Sequence, residues 1–156
     1  MKMTPFALSM ALLLAGPGAA HAQAAAAKPA FDAELAKSVG ADEHGMRSYV
    51  FVLLKTGPKA MPAGPERDAM FQGHFANIQR LAEAGKLALA GPYDGVEGWR
   101  GMFVFAVKDI DEAKALVATD PVIANGEMVA EFHKYYGSAA LMLVNANHQK
   151  VQAKPF

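Results

Sequence analysis

The sequence predicts an α+β domain whose elements run β-α-β-β-α-β. Three observations carry this reading. Residues 49–54 and 101–107 are apolar at nearly every position and short enough to be strands. Residues 65–82 and 111–118 repeat apolar side chains at helical spacing. Turn residues separate the pieces: Gly57-Pro58, Gly64-Pro65, Gly85, Gly91-Pro92 and Asp120-Pro121.

Residues 1–22 read as a secretory leader. Lys2 supplies the positive end, residues 7–15 the apolar stretch, and Gly16-Pro17-Gly18 its break. Ala20-His21-Ala22 is the small-x-small pattern before a cleavage point at Gln23. The apolar stretch is too short to span a bilayer, so no membrane attachment is expected after cleavage. Residues 23–47 read as a linker and a short helix. Phe31, Leu35 and Val39 recur at helical spacing, Gly40 is a stop, and Asp42-Glu43-His44-Gly45 is a polar turn.

The domain itself is expected over residues 48–140, with a tail at 141–156. The first strand covers 49–54. Pro65 opens the main helix with Glu66 and Asp68 at its positive end. Phe71, His74, Phe75, Ile78, Leu81 and Ala82 form its expected inward stripe. Residues 87–90 are the second strand, 93–100 a loop and 101–108 the third strand. The second helix runs over 111–118, capped by Asp109 or Asp111 and ended by Asp120-Pro121. The fourth strand covers 129–135, with Val129, Glu131, His133 and Tyr135 on one side.

This order is the ferredoxin-like arrangement, with both helices on one sheet face. The central strands are apolar on the other face as well. Two helices cannot cover both faces, so a second copy is expected on the open one. The alternative is that residues 139–156 fold back over it.

Composition narrows the partners. The chain has 15 Lys and Arg against 15 Asp and Glu, and no Cys. Nucleic acid has no bulk charge to bind, and disulfides and thiol chemistry are excluded. His44, His74, His133 and Asp120 show no metal-binding spacing, so no metal is expected.

Three groups of residues carry a resemblance: Gly73-His74-Phe75-Ala76-Asn77-Ile78, then Leu81 to Leu87, then Ala90-Gly91-Pro92. With Arg100-Gly101 and Asp120-Pro121 they resemble the signature of YCII-related proteins. Tyr135-Tyr136-Gly137-Ser138-Ala139-Ala140 is similar to the end of a secreted subgroup. The resemblance implies a dimeric α+β barrel with a His–Asp pair in a cleft. It also implies cofactor-free activities such as dehydrochlorination of hydroxylated aromatics.

His74 lies on the expected inward stripe, three residues after Phe71 and four before Ile78. There an imidazole is either a hydrogen-bonded core group or the wall of a pocket; the resemblance favours a general acid or base. Asp120 reads as an Asp-Pro turn, and the resemblance gives it the second role of orienting His74. Arg100 is either a surface cation or the holder of a substrate carboxylate or phenolate. Asn77, one turn from His74, and Tyr136 are further substrate-binding candidates.

Two functions follow as expectations. One is an exported, cofactor-free lyase, isomerase or dehydrochlorinase acting on a small molecule. The other is a small-ligand-binding or stress-related module with the same pocket and no turnover. Export is tested by mass spectrometry of protein from the periplasmic fraction. An N-terminus at or beside Gln23 is expected, whereas intact Met1 in a cytoplasmic pool contradicts it.

Overall fold

The computed structural model describes residues 29–154. The leader and its cleavage point lie outside the described residues. Contacts divide the chain at Asp32, and the domain below begins there. Among the described residues no helix is long and apolar enough to cross a membrane.

Helix α1 spans Ala33–Ser38, and the Asp32 carboxylate caps it by accepting the Leu35 N–H (2.9 Å). Strand β1, Met46–Thr56, extends past the predicted run at both ends. Helix α2, Pro65–Glu83, opens and closes where its proline and glycine predict. Gly85 follows at φ +66°, a backbone that an L side chain rarely adopts. Strands β2 (Leu87–Pro92) and β3 (Trp99–Phe105) flank a loop holding one 3-10 turn, Val96–Gly98. Helix α3, Ile110–Val117, has Asp109 as its N-cap. Helix α4, Pro121–Asn125, follows at once. Strand β4 is Met128–Ser138; a 3-10 turn at Ala139–Leu143 leads into helix α5, Val144–Val151.

The four strands form one sheet of order β2-β3-β1-β4 with every neighbouring pair antiparallel. This is the ferredoxin-like α+β fold. On one face Val50, Val52 and Leu54 of β1 and Phe103 and Phe105 of β3 pack against Met70 and Leu81 of α2 and Ala113 and Val117 of α3. Full burial of a large apolar side chain of this kind contributes about 1.5–3 kcal/mol.

Three expectations change. Asp120-Pro121 does not simply end a helix: Asp120 caps a second one, its carboxylate accepting the Val122 N–H (3.1 Å). A proline is as suited to the first turn of a helix as to its end. The buried stripe of α2 is Met70, His74, Asn77 and Leu81, and Phe75 is 50% exposed. The stripe is therefore rotated from the one expected, toward the side where α4 packs. Finally, the tail does fold back. Leu141 and Met142 pack on the second sheet face against the cluster of Tyr49, Ala88 and Val104, and Asn145 Nδ2 donates to the Leu87 carbonyl (2.7 Å). The cover is partial: Phe51, Leu89 and Met102 stay half-buried.

Glu127, absent from the expectations, ties the connection after β1 to the start of β4. It is 2% exposed. Its carboxylate accepts the Met61 N–H (2.6 Å) and Arg67 Nη2 (2.7 Å) and Nε (3.3 Å). The Met61 bond first, and Arg67 next, hold its pKa below the ordinary glutamate range, against the effect of burial. A carboxyl depressed by folding stabilises the fold above its unfolded pKa and loses that contribution as pH falls through its folded value. Glu127→Gln is therefore expected to cost about 1–3 kcal/mol at pH 7. In denaturant melts the gap between wild type and variant should close as pH falls below the glutamate range; a gap independent of pH contradicts this assignment.

Candidate active site

The site grows from the contact between α2 and α4. Gly73 of α2 faces Pro121 of α4 so closely that an added Cβ would stand 3.0 Å from the proline Cγ. A side chain there would need the proline ring to give by a few tenths of an ångström, and glycine avoids this. The next residue on each side then meets: His74 Nδ1 lies 2.8 Å from Asp120 Oδ2 and 3.0 Å from Oδ1. One turn along α2, Asn77 meets Thr119. Asn77 Oδ1 accepts from Arg80 Nη2 (2.6 Å) and lies 3.1 Å from the Thr119 hydroxyl, which also reaches the Leu116 carbonyl (2.7 Å). Residues 73, 74 and 77 thus close in register on 121, 120 and 119.

The pair sits in apolar surroundings. Asp120 is wholly buried and the His74 side chain is 9% exposed. The imidazole packs against Phe71 edge-on (6.1 Å), Phe75 (5.4 Å) and Phe103 (6.1 Å). Asp120 serves both neighbours at once: Oδ1 takes the Val122 N–H while the carboxylate faces Nδ1. An ionised carboxylate only accepts, so Nδ1 carries the proton and the lone pair of a neutral ring falls on Nε2. Nε2 makes no hydrogen bond within the described residues. Such a ring has one nitrogen held and one nitrogen available, the arrangement of a general base.

The other expected residues divide. Asn77 is buried beside the pair, but as a tie between α2 and the α3–α4 junction. Arg100 is half-buried at the start of β3, where the register against β1 slips so that Lys55 faces Trp99. Among the described residues its side chain makes no hydrogen bond, and its charge helps hold Glu127 ionised. Tyr136 does not join the pair. Its hydroxyl donates to the Asp42 carboxylate, a bond that raises the phenol above its usual range. Strand alternation alone cannot show that a tyrosine on β4 is taken by the turn before β1.

Arg67 and Glu127 are the residues that sequence reading missed. Arg67 lies two turns before His74 on α2, with its guanidinium 4.7 Å over the Phe71 ring. The spacing 67-71-74 is a legible helical face; the buried Glu127 that holds it is not, since a glutamate after a glycine reads as a turn. Two surface depressions, of about 540 and 510 Å³, lie elsewhere, along α3, α4 and β4 and along α5. Among the described residues no three His, Asp or Glu side chains gather as a metal site.

The profile of the YCII-related domain matches residues 48–132, more than half of the chain. Eight solved chains match. One is the 5-chloro-2-hydroxyhydroquinone dehydrochlorinase TftG from Burkholderia phenoliruptrix AC1100, in complex with 2,5-dihydroxybenzoquinone. It is 17% identical, with a TM-score of 0.38, over 55% of this chain and 90% of that one. No curated protein matches. With the family profile matching residues 48–132, the chain belongs to the YCII-related domain family.

Proposed function

We infer that this chain is an exported, cofactor-free acid–base enzyme of the lyase, isomerase or dehydrochlorinase type. The observation that carries the reading is the His74–Asp120 bond, with Nδ1 held at 2.8 Å and Nε2 left for a substrate. Nε2 takes a proton from a carbon or hydroxyl made acidic by a neighbouring carbonyl or ring. Asp120 stabilises the imidazolium that forms and keeps the ring from turning. The proton then returns to another atom of the substrate, or leaves with the departing group. Phe71, Phe75 and Phe103 give the ring an apolar setting suited to a small cyclic or aromatic compound. Arg100 is the proposed partner for its negative charge.

The active form is a homodimer in this reading. The half-buried Phe51, Leu89 and Met102 on the second sheet face support it, and a second copy would complete the cover that Leu141 and Met142 begin. Sedimentation at micromolar concentration should give a dimer. A stable monomer contradicts that part.

The second reading, a ligand-binding module without turnover, is favoured by the small exposure of the His74 side chain, 9%. Turnover separates the two. Against a panel of hydroxylated and halogenated ring compounds, halide release and solvent-deuterium uptake report proton transfer. His74→Gln should lower the rate about 100-fold or more, and Asp120→Asn should lower it while leaving the fold intact. Binding of a panel member beside His74 with no turnover would decide for the module. Equal rates in wild type and His74→Gln would remove His74 from the chemistry.

A further inference from the structure

Helix α4 is bracketed by two buried carboxylates, and each grips α2. Asp120 precedes α4 and holds His74; Glu127 follows it and holds Arg67. Asp120 is consumed by this role, but the Glu127 pair is not symmetrical. Glu127 is 2% exposed, whereas the Arg67 side chain is 30% exposed. Glu127 takes Nε and one N–H of Nη2. A guanidinium has five N–H groups, so three remain, and within the described residues Arg67 makes no other hydrogen bond. The fork is fixed twice, by Glu127 from below and by the Phe71 ring at 4.7 Å. Phe71 in turn meets the His74 ring edge-on. Arg67, Phe71 and His74 therefore follow one another at i, i+4 and i+7 on one face of α2, about 10 Å from first Cα to last.

A surface arginine loses much of its binding energy to side-chain entropy; one already held in place loses far less. Arg100 adds a second positive charge toward Glu127.

We propose that Arg67, positioned by Glu127, is an anion-recognition group of the His74 site, and that it takes the carboxylate or phenolate of a planar ring lying along Phe71. This deepens the acid–base reading and rests on it for the role of His74. Glu127 is a positioning residue that acts through Arg67.

The probes are 4-hydroxybenzoate and its neutral counterpart 4-hydroxybenzamide, titrated into the full chain while backbone and His74 ring signals are followed by NMR. Wild type should bind the carboxylate about tenfold more tightly than the amide. Arg67→Gln should bring the two within about twofold. That variant leaves Glu127 buried without its cation and risks the fold, so Arg67→Gln with Glu127→Gln serves as the second variant, with the same expected loss. Glu127→Gln alone should weaken carboxylate binding and leave amide binding unchanged. The proposal is overturned if wild type does not prefer the carboxylate, if neither probe binds at millimolar concentration, or if the preference survives in the double variant. Failure of the acid–base reading looks different. There the preference would depend on Arg67 as described, while His74 ring signals stayed unmoved and His74→Gln left every tested rate unchanged.

Discussion

The close approach of α4 to α2 is the constraint on which the site depends. It starts from Gly73, whose missing side chain admits Pro121. That contact sets Asp120 against His74 and Thr119 against Asn77. A side chain at position 73 would press on the Pro121 ring, next in the chain to Asp120. The sheet supplies the floor: Phe103 of β3 lies under the imidazole, and its strand is held on both sides by β1 and β2.

Burying an ionisable pair is expensive, and such a pair is poor evidence for stability. Apolar residues of similar shape would fill the space between α2 and α4 at no greater cost. Here Asp120 is wholly buried, and it meets both His74 and the first turn of α4. The capping role explains an aspartate before Pro121. It does not explain a histidine opposite, since a helix cap needs no second partner. The imidazole is the part of the seam that structure alone leaves without a purpose, and the proposed chemistry gives it one. The Glu127–Arg67 pair repeats the pattern at the other end of α4, with the arginine reaching solvent where the histidine nearly does not.

Much of the fold was legible because its punctuation is strong. Gly57-Pro58, Gly64-Pro65, Gly85 and Gly91-Pro92 fall at the ends of β1, α2 and β2, so the order of strands and main helices could be read directly. Helix α4 could not. Five residues are too few to show a period, and Asp-Pro reads equally as a stop and as a start. The rotation of α2 was hidden for a related reason. Phe75 has the more apolar side chain and Asn77 the more polar one, yet Asn77 is buried because Thr119 and Arg80 satisfy it. His74 and Asp120 were legible as candidates through the family signature, but their meeting spans 46 residues and belongs to the fold. Tyr136 and Glu127 fail in opposite directions for the same cause. Each has its partner far away in the chain, Asp42 for one and Met61 and Arg67 for the other.

The central claim is that Asp120 fixes the proton of His74 on Nδ1 and leaves Nε2 as the working nitrogen. Nitrogen NMR of the imidazole reads this directly, because protonated and bare ring nitrogens differ widely in chemical shift. At alkaline pH, where an imidazole is neutral, His74 should show a protonated Nδ1 and a bare Nε2. In Asp120→Ala that preference should be lost. A wild-type ring with its proton on Nε2, or one whose tautomer is unchanged in Asp120→Ala, would contradict the account.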